Sequence, residues 1–166
     1  MTRPILADIH AARERIKDAI YMTPCARSET LSQLLGCDLY LKLENLQITG
    51  SFKERGALNK ILQLTPEQKA AGVIAASAGN HAQGVAEAAH LFGVPATIVM
   101  PADAPASKTA RTLRSGAEIV AYDRAGENRD EIAARIMAKR GGTLIHPNWV
   151  LTAAHCVCEQ YSSTQI

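Results

Sequence analysis

Two stretches hold side chains whose types and spacing could do chemistry, and a third near the end adds one more. Residues 42–57 read Lys-Leu-Glu-Asn-Leu-Gln-Ile-Thr-Gly-Ser-Phe-Lys-Glu-Arg-Gly-Ala, and Lys53 is their chemical centre. A lysine amine attacks a carbonyl only when it is held unprotonated, by a pocket of low polarity or by nearby positive charge, and Phe52 offers an aromatic wall beside it. Alone, a lysine between Phe52 and Glu54 reads first as a solvated surface group. A second segment changes that weighting: Ser77-Ala78-Gly79-Asn80-His81-Ala82-Gln83-Gly84 follows about two dozen residues on, between an apolar run and a helical pattern. Near the end, Ala153-Ala154-His155-Cys156 presents an imidazole, the group whose charge changes most easily near neutral pH.

The elements that must position these groups follow from periodicity. Ile5, Ile9, Ala12, Ile16 and Ile20 recur at helical spacing with Arg13, Glu14, Arg15 and Lys17 on other faces, which predicts an amphipathic opening helix. Thr23-Pro24 stops it. A short helix over 28–35 ends at Gly36, and 38–43 alternates as a strand that delivers the chain to Lys53. A helix over 51–64 closes at Thr65-Pro66, a short helix over 66–71 follows, and Val73-Ile74-Ala75-Ala76 is a brief buried strand. The Asn80 loop then caps the next helix. The pattern repeats as helix to Phe92, strand 96–100, helix 107–115, strand 118–121, helix 127–140 and strand 143–145. This alternation predicts an α/β fold, a parallel sheet of right-handed βαβ units covered by helices. Ligands in such sheets sit at the carboxyl ends of strands, and residues 77–84 stand at one of those ends.

On Ser-Phe-Lys-Glu-Arg-Gly-Ala and Ser-Ala-Gly-Asn-His, the chain resembles the threonine dehydratase (threonine ammonia-lyase) group of pyridoxal-phosphate enzymes, from about residue 6 to about 147. That group shares fold type II with serine racemase and cysteine synthase. The resemblance implies that Lys53 is the catalytic lysine, covalently attached to pyridoxal phosphate. It implies that Phe52 packs beside the cofactor ring, that Asn80 hydrogen-bonds the ring hydroxyl, and that Ser77, Ala78, Gly79 and His81 lie on the substrate side. The implied reaction eliminates water from a small amino acid, threonine or serine, giving a 2-oxo acid and ammonia, with Lys53 taking the Cα proton and the cofactor supplying the electron sink. Serine racemases usually carry a serine, their second acid–base group, where this chain has Ala78, which favours elimination over racemisation. Under the same resemblance, residues 1–53 begin a larger catalytic domain, 54–142 form a smaller α/β domain, and 143–166 are a junction and tail. The glycine-rich loop that would hold the cofactor phosphate, and the partner of the pyridine nitrogen, have no counterpart after residue 142, so binding of pyridoxal phosphate is expected to be weak or absent.

Residues 141–158, Gly-Gly-Thr-Leu-Ile-His-Pro-Asn-Trp-Val-Leu-Thr-Ala-Ala-His-Cys-Val-Cys, resemble a different family, the chymotrypsin-like serine proteases, at the segment carrying their catalytic histidine. Residues 141–147 suit both families, so the chain reads as a chimera joined through a shared string. A protease triad needs an aspartate and a serine from much later segments. Only eleven residues follow His155, which is therefore expected to be vestigial, without protease activity.

Composition sets the remaining bounds. The 166 residues, 47% apolar and 20% charged, fit one soluble domain with a core of ordinary size. Eighteen basic and sixteen acidic residues, net +2, give no reason to expect nucleic acid or an anionic membrane as partner. No apolar run approaches the roughly 18 residues of a membrane span, and no early apolar segment follows a basic start, which points to a cytoplasmic protein. Cys25, Cys37, Cys156 and Cys158 have no zinc-finger or redox spacing, no metal is expected, and Cys25 and Cys37 read as small buried residues. Two functions from different classes follow: a lyase by descent, or a non-catalytic folded α/β fragment that is inactive as it stands. In either case the face of Ile5, Ile9, Ile16 and Ile20 is expected to lie uncovered, giving self-association or a loosely docked N-terminus.

Overall fold

The computed structural model describes residues 5–146. Helix boundaries follow local chemistry. In α2 (Glu29–Leu35) the Ser28 hydroxyl accepts from the Leu31 amide at 3.4 Å, and Gly36 ends the helix at φ +66°, a conformation that only glycine adopts without strain. Thr65 and Gln68 cap α4 (Pro66–Ala71) reciprocally: the Thr65 hydroxyl accepts from the Gln68 backbone amide at 3.3 Å, and the Gln68 side-chain Oε1 accepts from the Thr65 backbone amide at 3.0 Å. Asn128 begins α7 (Arg129–Arg140) by accepting from the Asp130 amide at 2.9 Å.

The sheet is parallel throughout. It comprises β3 (Val73–Ala76), β4 (Ala96–Pro101), β5 (Glu118–Tyr122) and β6 (Thr143–Leu144), in the order β5-β4-β3-β6. Side chains alternate across it as a strand requires. Val73, Ala75, Ile98 and Met100 join the larger core, with Ala57, Leu58 and Ile61 of α3 (Lys53–Leu62) and Ala82, Val85, Ala86 and Ala89 of α5 (Asn80–Leu91). Ile74, Ala76 and Val99 face the other way and pack with Ile132 and Ala133 of α7. With both faces covered, β3 and β4 are buried along their whole lengths, as continuous apolar strands of a parallel sheet should be. From β3 the chain steps to β4 and, through α6 (Ala106–Arg114), to β5. It then returns through α7 to place β6 on the opposite side of β3.

The N-terminal segment departs from expectation in three places. Helix α1 (Leu6–Ile16) stops four residues short of Ile20, and Ile16, 1% exposed, is packed into the larger core beside α3. The isoleucine face is therefore partly covered, with only its start, Ile5, left 64% exposed. The segment after Thr23-Pro24 forms a short strand, β1 (Cys25–Arg27), paired antiparallel with β2 (Tyr40–Lys42), where only the second strand was legible. Cys37 is exposed rather than buried, because it follows the Gly36 cap into a surface turn. Among the described residues no helix is long and apolar enough to cross a membrane, and no group of three metal-ligating side chains is found.

Candidate active site

The carboxyl ends of β3 and β6 are joined by one side chain. Beyond β3 the Ser77 amide still donates to Val99 O at 3.0 Å, so the strand's path continues into the loop. The Ser77 hydroxyl then accepts from the Gly79 amide at 3.2 Å and folds residues 77–79 into a tight turn. Gly79 sits at the N-cap of α5 with no side chain to occupy the first-turn amides, which leaves that helix end open to an anionic group. His81, 4% exposed, lies within 2.9 Å of Ile145 O through Nε2, so Nε2 carries the proton and donates. Burial pushes the His81 pKa down, and the Lys53 and His146 charges push it the same way against the Ile145 hydrogen bond. The imidazole is neutral near pH 7, and its buried Nδ1 has no partner among the described residues.

Lys53 is the first residue of α3, and α5 brings it to this loop. Gly84 lies one helical turn after Asn80 and shares its face of α5. A Cβ at Gly84 would stand 3.1 Å from the carbonyl carbon of Lys53, 3.1 Å from the Glu54 amide nitrogen and 3.2 Å from the Lys53 carbonyl oxygen. The two helices thus meet backbone to backbone at the Lys53–Glu54 peptide, and only glycine permits that approach. The two stretches singled out by residue type are brought together by this contact. Lys53 Nζ lies 5.1 Å from the centroid of the Phe52 ring, within the range of a cation–π contact. Among the described residues Lys53 has no ion pair, and the exposed Asn80 has no side-chain hydrogen bond, so both polar ends are available to a ligand. Ser77, Ala78 and Gly79 are half-buried around them. His155 lies outside the described residues.

Sequence reasoning missed a buried polar network beneath Lys53. Arg55 grips Glu44 with both arms, Nε to Oε2 at 2.8 Å and Nη2 to Oε1 at 2.9 Å, and both side chains are more than nine-tenths buried. Glu44 Oε1 also accepts from the Thr23 hydroxyl at 2.6 Å, and Gln47 Nε2 lies 3.4 Å from Oε2 while donating to Tyr21 O at 2.8 Å. Burial pushes the Glu44 carboxyl up, but Arg55 and Thr23 outweigh it and hold the group below the usual carboxylate range. Glu54, beside Lys53, accepts from both the amide and the hydroxyl of Thr49 at 3.1 Å. Burial raises its pKa, those two bonds partly offset the rise, and the Glu87 and Glu44 charges add to it. The signal for this network was confined to residue types: Glu44 and Arg55 are eleven positions apart, and no helical or strand period connects them.

The residues fit pyridoxal phosphate on these observations: an amine beside an aromatic ring, with no ion pair among the described residues, on a helix whose first turn packs backbone to backbone against the helix that begins at Asn80. The chain is 50% identical over 142 residues to the L-threonine ammonia-lyase of Thermotoga maritima, covering 86% of this chain and 35% of that protein. It is 46% identical over 147 residues to the L-threo-3-hydroxyaspartate ammonia-lyase of Saccharomyces cerevisiae, covering 89% of this chain and 45% of that one. Among solved structures, maize serine racemase superposes with a TM-score of 0.79 at 40% identity, over 86% of this chain and 43% of its own. The chain thus spans less than half the length of these relatives. A family model described as pyridoxal-phosphate dependent enzyme matches residues 16–164, and the chain belongs to that family.

Proposed function

We propose that this site is the lysine-bearing half of an amino-acid ammonia-lyase centre, acting on threonine or serine. The Gly84 contact supports this reading: it sets the Lys53–Glu54 peptide against the helix that begins at Asn80, close enough for the Lys53 charge to act on His81. Pyridoxal phosphate, when bound, supplies an electron sink at the substrate's Cα. Lys53 would hold the cofactor covalently through Nζ, and its amine would serve as the base for the substrate's Cα proton. Phe52 would pack against the cofactor ring, and the Asn80 side chain would hydrogen-bond its hydroxyl. The Ser77–Gly79 turn and the open first-turn amides of α5, from Asn80 through Ala82, suit a substrate carboxylate, because backbone N–H groups at a helix start favour negative charge. His81 is neutral and committed to Ile145 O, so it anchors this turn and does not shuttle a proton. Ala78 offers no hydroxyl on the second side, which favours elimination over racemisation.

For these 166 residues by themselves we expect weak, dialysable cofactor binding and negligible turnover. The test is the absorbance spectrum with added pyridoxal phosphate. A visible band should appear with the wild-type chain and with Lys60→Ala, and be lost in Lys53→Ala. A band unchanged by Lys53→Ala would overturn the assignment.

A further inference from the structure

We propose that the buried Glu44–Arg55 pair is a positioning device for Lys53, fixing the rotation of α3 and hence the direction of the lysine amine. The proposal rests on reading Lys53 as the cofactor-bearing residue. A buried ion pair adds little net stability over an apolar replacement, because the cost of desolvating both charges offsets their attraction. What a two-armed arginine does supply is geometry, since both N–H···O bonds hold only in one orientation of the guanidinium. Here the 2.8 and 2.9 Å arms join the first turn of α3 to the turn at Glu44–Leu46, and Thr23 and Gln47 fix the carboxylate from the other side.

The lever is short. Residues two apart on a helix point roughly 200° from one another, so Arg55 anchors the side of α3 away from Lys53. If α3 turned by about 20°, its Cα atoms, about 2.3 Å from the axis, would move by about 0.8 Å, and a lysine tip about 8 Å out by about 3 Å. The Gly84 contact limits translation of the Lys53–Glu54 peptide toward α5, and the Thr49 bonds to Glu54 hold the preceding loop. Rotation is the freedom that the Glu44–Arg55 fork removes.

The test compares wild type with Arg55→Lys, which keeps the charge but loses the fork, and Glu44→Gln, which keeps the shape but loses the charge. Each folded chain is mixed with pyridoxal phosphate, reduced with borohydride and mapped for the share of label on Lys53. In parallel, trace acetylation without cofactor measures the reactivity of Lys53 relative to Lys60. We expect the Lys53 share to fall about tenfold in both variants, since a misplacement near 1 Å can cost about a hundredfold in reactivity, and the Lys53:Lys60 acetylation ratio to shift as well. If Glu44→Gln does not hold its circular dichroism, Arg55→Lys decides alone. A Lys53 share within twofold of wild type in a folded variant overturns the positioning role, whatever the loss in melting temperature. No preference for Lys53 in the wild-type chain would instead overturn the functional reading, and the positioning proposal with it.

Discussion

Replacing Gly84 by alanine tests the contact on which the site geometry depends. Ordinary carbon–carbon contact lies near about 3.5–4.0 Å, whereas the added methyl would meet the Lys53 carbonyl carbon and the Glu54 nitrogen at 3.1 Å and the Lys53 oxygen at 3.2 Å. All three are backbone atoms in a buried helix turn, so no side chain can rotate away, and α3 and α5 must part by about half an ångström. Overpacking of this kind costs about 1–3 kcal/mol. Against it stands the gain of about 1 kcal/mol that alanine brings over glycine inside a helix. Because the obstruction is backbone on a buried face, we expect the upper half of the resulting range, a net loss of about 1–2 kcal/mol. Urea unfolding followed by helical circular dichroism measures it, and selective capture of pyridoxal phosphate at Lys53 should fall in the same variant. Gly84→Ala as stable as wild type or more so, with capture at Lys53 unchanged, would refute the backbone contact.

Other outcomes follow from the same geometry. His81 has a pKa below its ordinary 6.5 in the folded chain, so unfolding takes up a proton: the stability it contributes is complete above about pH 6.5 and is lost as pH falls toward the lowered value. The urea midpoint should therefore drop between about pH 7.5 and about pH 5.5 in wild type and drop less in His81→Gln, with equal drops counting against the buried neutral imidazole. Asn80→Ala should weaken pyridoxal phosphate binding by about 1–3 kcal/mol if the bonded ring oxygen is charged, and by nothing measurable if Asn80 faces away from the cofactor. Ile20, Tyr21, Ile48, Leu91 and Phe92 line an apolar depression of about 550 Å³, so sedimentation should show concentration-dependent association that Ile48→Glu reduces; a wild-type monomer at every concentration would contradict this.

The parts of the fold that could be read ahead are those with local signals. Ser28 with Gly36, and Thr65-Pro66 with Gln68, each mark a helix end within a few residues. Runs such as Val73–Ala76 and Ala96–Pro101 are short, apolar and β-branched enough to announce buried parallel strands. Strand β1 gave no such signal, since three residues cannot display alternation and its partner β2 lies beyond the intervening helix α2. The stop of α1 at Ile16 was hidden because Ile20 continues the apolar period beyond the helix, packing partly against the same core from a turn. In the site, Lys53 and the Asn80 loop were legible from residue types, but the means of their meeting was not. A glycine at 84, inside a helical pattern, hinted at a close approach without naming its partner. The Glu44–Arg55 pair required the chain to reverse between them, which no period records.

In the proposed site one lysine, Lys53, differs from all the others. Borohydride reduction of the wild-type chain with pyridoxal phosphate, followed by peptide mapping, measures that difference directly. Lys53 should carry most of the trapped cofactor while Lys42 and Lys60 carry little. Label spread over the lysines in proportion to their exposure, with no excess at Lys53, would contradict it.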